Sequence, residues 1–325
     1  MWKKGLAGIV STLFVATLFV QPSLGKEYPT RPIELIAPFA AGSTMDLLAR
    51  IIADVAPKYL KEPMAVVNKA GAAGSLGAAE VIRSAPDGYK LITLPSGFFS
   101  TTVKSQKVPF DPNDLIPIAN FIRYKDGLVV KGDSPWKTLG DLLDYGKKNP
   151  GKLRWGHTAR GTTVYISTVC IFRKAGIEAI DLPYPGGAQI VSAILGGHVD
   201  AGIGAYGAYR SHVKAGSVKY LVTYTDQRFD DPPGIPTAVE LGFPEAAKLP
   251  TLVGVYGHRN TPEEVIKTLF AAFRKTYDDP EFKKGLEKLG EEPKFGGPEM
   301  IREAIKSSDE VGLPILKELG MYVGK

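Results

Sequence analysis

The sequence predicts an α/β protein of two lobes joined by extended crossings. Three observations carry that expectation. From Tyr28 onward, short apolar runs alternate with helical periodicity, the pattern of βαβ units and a mostly parallel sheet. The same rhythm restarts near residue 138 without repeating residue by residue. Extended apolar segments with no helical period, at 115–131 and 251–258, separate the two series from each other and from the C-terminal stretch. A length of 325 residues also fits two domains of about 150 residues each.

Taken in order, residues 32–39 read as a buried strand, and Gly42, Ser43 and Thr44 then open a helix. Its Leu48, Ile52, Val55 and Tyr59 share one face. A strand at 64–68, a glycine-rich turn, a helix at 76–84 and a strand at 90–94 complete the first series. The second series begins with a helix at 138–148 that stops before Pro150. Strands at 153–156, 179–182, 199–203 and 218–223 then alternate with helices at 163–174, 188–195 and 206–214. From Pro262 the chain reads as helical. The implied division is lobe 1 from 27–124 plus 250–325 and lobe 2 from 125–249.

Composition narrows the function. Hydrophobic residues at 44% and charged residues at 23% exclude a disordered chain and a polytopic membrane protein. The formal charge of +6 is small and dispersed, so nucleic acid is not an expected partner. A single cysteine, Cys170, excludes an internal disulfide, a CxxC pair and a Cys-rich zinc site; in mid-helix among apolar residues it reads as a core thiol. At the N-terminus Lys3 and Lys4 precede an uncharged stretch, then Pro22, Ser23 and Gly25. The apolar run is shorter than the roughly 20 residues of a bilayer span, so residues 1–25 read as a cleaved secretory signal and the mature chain as periplasmic.

Two turns stand out as anion-binding candidates. In the first, Phe39, Ala41, Gly42, Ser43, Thr44 and Asp46 lie where a strand meets a helix, with Ser43 or Thr44 as N-cap. Unpaired N–H groups and the helix dipole make such an end a seat for an anion. Asp46 complements the dipole or accepts from a ligand donor. In the second, His157, Thr158, Ala159, Arg160, Gly161, Thr162 and Thr163 repeat the arrangement, and Arg160 is placed to pair with a carboxylate. The 71–77 segment is glycine-rich but lacks the Lys-Ser/Thr ending of a P-loop. Residues 202–207 match Gly-x-Gly-x-x-Gly, with Asp226 about 20 residues on, yet they sit in the last βα unit of a lobe, so their glycines read as strand–helix packing and cleft lining. No catalytic motif is present, and His157, His198, His212 and His258 lack metal-ligand spacing.

Seven segments in order resemble the Bug family, the periplasmic solute receptors of tripartite tricarboxylate transporters. They are Tyr28-Pro-Thr-Arg-Pro-Ile, the segment from Pro38 to Arg50, Asn68-Lys-Ala-Gly-Ala-Ala-Gly-Ser-Leu-Gly77, and Pro86-Asp-Gly-Tyr-Lys-Leu91. Leu182-Pro-Tyr-Pro-Gly186, Gly196-Gly-His-Val-Asp200 and Pro236-Thr-Ala-Val-Glu-Leu-Gly242 follow. The resemblance implies a two-lobe periplasmic binding protein (Venus flytrap) with a ligand cleft between the lobes and hinge strands. It further implies a monomer that takes a small carboxylate, needs no cofactor, and delivers its ligand to large and small permease subunits. The ligand would be held by residues 39–46 and 157–163, with Ser96, Gly97, Tyr184, Gly204 and Ala205 lining the rest. His157 and Tyr165 stand where the family usually has Ser and His, and Pro185 where it has Lys, which points to a ligand other than citrate. Two other readings are a carboxylate receptor for a two-component sensor and an exported hydrolase using His157 with Thr162.

Overall fold

Alternating apolar residues build the first sheet. Ile33, Leu35 and Ala37 of the strand Ile33–Ala37 (β1) face one core and Ile36 the opposite one, so β1 is covered on both sides. The helices Thr44–Val55 (α1) and Pro57–Leu60 (α2) lead to Met64–Asn68 (β2), and Ser75–Arg83 (α3) leads to Lys90–Pro95 (β3). The strands β2 and β3 flank β1 in parallel. The computed structural model describes residues 27–323, so the expected signal at 1–25 lies outside the described residues.

The chain next runs through Leu115–Arg123 (β4) and crosses at Tyr124 and Lys125 into Asp126–Lys131 (β5) of a second sheet. That sheet gathers Leu153–His157 (β6), Ala179–Pro183 (β7), Ala201–Ala205 (β8) and Val218–Thr223 (β9) in the order β7-β6-β8-β5-β9. Its helices are Leu139–Lys148 (α4), Thr163–Lys174 (α5), Gly187–Leu195 (α6) and Tyr206–Lys214 (α7). Residues of α4 and α5 fill one face, and those of α6 and α7 the other. A second crossing returns the chain to Leu252–His258 (β10), followed by Glu263–Asp278 (α8), Pro280–Leu289 (α9), Glu292–Gly296 (β11) and Pro298–Glu318 (α10). The first sheet is ordered β11-β4-β10-β3-β1-β2.

Three expectations need correction. Both sheets are mixed rather than mostly parallel: β10 runs antiparallel to β3 and β4, β11 to β4, and β5 to β8 and β9. A strand that carries the chain across to the other lobe or back enters its sheet without a helical crossover, so its direction is reversed. The C-terminal stretch is not continuously helical, because β11 interrupts it. Its charged residues and Pro293 hid it, and both are tolerated because it is an edge strand. Finally, the strand expected at 199–203 begins at Ala201, since Val199 N–H still bonds Ala193 O at the end of α6.

The helix α10 belongs to both lobes. Its Ile301 is buried with α3 and the first sheet, whereas Leu316 is buried in the core of α4 and α5. Thr101, between β3 and β4, packs against Gly312 of the same helix. No described helix is long and apolar enough to cross a membrane.

Candidate binding site between the lobes

The first turn follows β1. Gly42 adopts φ +78°, a left-handed conformation that glycine enters without strain. Ser43 then caps α1, its Oγ accepting from Asp46 N–H at 3.3 Å. This leaves the N–H groups of the first helical residues, Thr44 and Met45, without partners inside the helix. Asp46 is 1% exposed and completely engaged. Its Oδ2 accepts Gly42 N–H at 2.8 Å and Arg50 Nε at 3.1 Å, and its Oδ1 accepts Asn68 Nδ2 at 2.7 Å. Burial pushes the carboxyl up, but the bonds from Arg50, Gly42 and Asn68 outweigh it and hold the group below the usual carboxylate range. Asn68 also donates to Phe39 O at 3.2 Å, so one side chain ties together both ends of the turn.

The second turn follows β6 and repeats the backbone. Gly161 has φ +77°, Thr162 caps α5 through Tyr165 N–H at 3.4 Å, and Thr163 begins the helix. Its carboxylate comes from elsewhere, from Asp181 on the neighbouring β7. Asp181 receives Arg160 through two bonds, at 2.6 and 2.8 Å, and His157 Nε2 at 3.0 Å. Burial raises the Asp181 carboxyl, and Arg160 and His157 together bring it below its ordinary range. Burial lowers the His157 imidazole, with Asp181 opposing. An ionised Asp181 only accepts, so the His157 proton that reaches it is carried on Nε2.

The two lobes meet through these turns. A Cβ on Gly161 would stand 2.6 Å from Ser105 Cβ, and one on Gly97 would stand 2.7 Å from Thr163 Cγ2. A Cβ on Gly207 would stand 3.1 Å from Thr44 Oγ1. Thr163 Oγ1 is 2.8 Å from Thr251 Oγ1, which donates to the buried Asp126 at 2.6 Å. Across the junction Thr44 thus meets Gly207, Thr163 meets Gly97, and Gly161 meets Ser105, with Gly204 and Ala205 leading into Gly207. Tyr184 closes the end of β6: its N–H bonds His157 O, and its ring lies against Gly156. Ala41, Gly42 and Thr158 are exposed, whereas Phe39, Ser43, Ala159 and Thr162 are half-buried.

Several expected contact residues already have protein partners. Ser96 donates its hydroxyl to Pro250 O at 3.0 Å and accepts Leu252 N–H at 3.1 Å, which locks the end of β3 to the return crossing. Asp46 and Arg160 are engaged as described. Elsewhere, Gly202 packs against Ile190 and Ile194, and Asp226 pairs with Arg123 at 2.9 Å. Cys170 is half-buried, and burial pushes its thiol up to about 12. Sequence reasoning missed Asp181, Asp126 and Glu291. An acidic residue inside an apolar strand was the available signal for Asp181, while Glu291 sits in a Glu-Glu pair that resembles a solvated run.

Residues 48–321 match the family model for TctC, the tripartite tricarboxylate transporter family receptor. The chain is 32% identical over 320 residues to the UPF0065 protein in the gbd 5' region of Cupriavidus necator, covering 98% of this chain and 96% of that one. Rpa4515 of R. palustris, solved with adipate, superposes with a TM-score of 0.81 at 26% identity, covering 90% of this chain and 99% of its own. MatC from Rhodopseudomonas palustris, solved with bound malate, gives 0.78 at 25%, covering 88% and 100%. The two-lobe architecture is that of the periplasmic binding proteins. With both turns facing the junction of the lobes and the family match running through both lobes, the chain belongs to the tripartite tricarboxylate transporter receptor family of solute receptors.

Proposed function

We propose that the protein is an extracytoplasmic receptor that binds a small carboxylate between its lobes and delivers it to the permease subunits of a tripartite tricarboxylate transporter. The observation that carries this reading is the pair of glycine turns, each presenting the unpaired N–H groups of a helix start at the junction of the lobes. Backbone N–H groups of Thr44 and Met45 and of Thr162 to Val164 hold the carboxylate, Gly42 N–H being held by Asp46 and Ser43 N–H by Ala40 O. Gly97, Tyr184, Gly204 and Ala205 surround the rest of the ligand, at the edge of Phe39, Ala41, Thr158 and Ala159. Asp46, His157 and Arg160 shape the turns, and Ser96 locks the end of β3 to the return crossing. The relatives solved with adipate and malate support a carboxylate. Residues 1–25 direct export to the periplasm, and the mature chain works as a monomer without a cofactor.

The hinge lies at Tyr124–Lys125 and at 249–251, between the lobes 27–124 plus 250–325 and 125–249, with the end of α10 shared. A ligand that touches both turns stabilises the closed arrangement over the open one, and closure creates the surface read by the permease. Thermal denaturation with a panel of mono-, di- and tricarboxylates tests this. A ligand at 100 times its dissociation constant stabilises the fold by about 2.7 kcal/mol, and mass spectrometry should recover it unchanged. A panel that leaves the melting temperature unmoved, or an acid that is turned over, defeats the proposal.

A further inference from the structure

The corner between α9 and β11 reaches from lobe 1 onto the start of α7 in lobe 2. Glu291 at this corner is 3% exposed. Its Oε1 accepts Gly207 N–H at 2.5 Å and its Oε2 accepts Lys125 N–H at 2.7 Å. Gly207 is the second residue of α7, so the bonded N–H is one of those that a helix start leaves unpaired. The helix end thus already holds a carboxylate, supplied by the protein. A Cβ on Gly207 would stand 2.9 Å from Glu291 Oε1 and 3.1 Å from Thr44 Oγ1, which makes Glu291 a neighbour of the lobe-1 turn.

Nearby cations offset this charge only in part: Lys125 opposes the rise of Glu291, yet burial outweighs it. Arg210 of α7 donates to Lys288 O at 2.8 Å and pairs with Asp231, and Lys125 Nζ donates to Asp231 O at 2.7 Å. Arg50 and Arg160, beside the two turns, are held by Asp46 and Asp181. A second buried carboxyl, Asp126, adds to the negative side, and Tyr124 and Tyr220 also face Glu291.

We propose that Glu291 makes this receptor select singly charged carboxylates: it fills the helix end that a second ligand carboxylate would use, and it repels one placed beside Thr44. The inference rests on the carboxylate reading above and narrows it, since adipate and malate, seen in the relatives, are both diacids. Burial pushes Glu291 up to about 7, with Asp126 adding to the rise, and burial pushes Asp126 up to about 6. Discrimination is therefore strongest where Glu291 is ionised and fades as pH falls through neutrality.

Calorimetry on the mature chain with benzoate against terephthalate, and hexanoate against adipate, at about pH 8 and about pH 6 tests the idea. The monoacid of each pair that binds should be favoured at least about tenfold at the higher pH, because like charges at close range oppose binding. The preference should shrink at the lower pH. In Glu291→Gln it should fall to within about threefold and lose most of its pH dependence, the remainder being that of Asp126. Diacids that bind the wild type as tightly as their monoacids, or a preference unchanged by Glu291→Gln, overturn the assignment. Should the variant not fold, the pH dependence of the wild-type ratio decides alone. Binding of none of the four acids, nor of any acid in the thermal panel, defeats the carboxylate reading itself, and this inference with it.

Discussion

The turn after β1 and the turn after β6 have nearly the same backbone and different surroundings. Both place glycine at φ near +78°, a hydroxyl N-cap next, and threonine at the first helical position. In the first, the stabilising carboxylate is internal: Asp46 sits at the third helical position and draws in its own Gly42 N–H. In the second, that position is Tyr165, and Asp181 on β7 restrains Arg160 and His157 from outside. Their packing differs as well. Among the described residues nothing lies within 4 Å of where a Gly42 Cβ would be, whereas Gly161 is pressed against Ser105 of the other lobe. The first turn is thus fixed by its own helix and by Asn68 of its own lobe, and the second is built jointly by its own sheet and by the opposite lobe.

Alanine at the two glycines should break this comparison most sharply. In both, a left-handed residue with a Cβ costs about 1–2 kcal/mol. At Gly161 overpacking against Ser105 adds about 1–3 kcal/mol and holds the lobes apart. Gly161→Ala should therefore weaken ligand binding well beyond Gly42→Ala, which mainly lowers the melting temperature. Equal binding losses in calorimetry would erase the distinction.

A smaller effect separates the two carboxylates. Asp46→Asn removes a buried charge from Arg50, Gly42 and Asn68 and should destabilise the fold by about 2 kcal/mol, less than for a fully buried pair because Arg50 is half exposed. Both carboxyls are held below their ordinary range, so their stabilising effect is present at neutral pH and is lost as pH falls through the depressed values. Asp181→Asn instead releases Arg160 at the turn and should tighten binding of anionic ligands. Weaker anion binding in folded Asp181→Asn would count against that role.

Smallest is the loss of the caps. Ser43→Ala and Thr162→Ala should each cost about 1 kcal/mol, measured by denaturant unfolding. The likeness of the two backbones requires these costs to agree, and a difference of twofold or more would show that neighbouring contacts govern one of the caps.

Much of this was legible in the chain. The strand–glycine–hydroxyl–helix order at Gly42-Ser43-Thr44 and Gly161-Thr162-Thr163 located both turns, because capping and left-handed glycine are local requirements. The fate of Arg160 was not legible, since Asp181 is distant in sequence and becomes its neighbour only when β7 pairs with β6. Ser96 looked like a cleft hydroxyl and is a strand lock for the same reason, its partners Pro250 and Leu252 arriving from the return crossing.

By itself the sequence determined most of the strand and helix order, though not β11, together with the two lobes and the helix starts able to receive an anion, all of which follow from hydrophobic period and local backbone preference. Only the tertiary structure decided which charges are already neutralised, that Glu291 reaches from one lobe to the helix start of the other, and that Gly161, unlike Gly42, is pressed by the opposite lobe. Those features depend on contacts between segments far apart in the chain, and no local pattern encodes how distant side chains meet once the sheets are assembled.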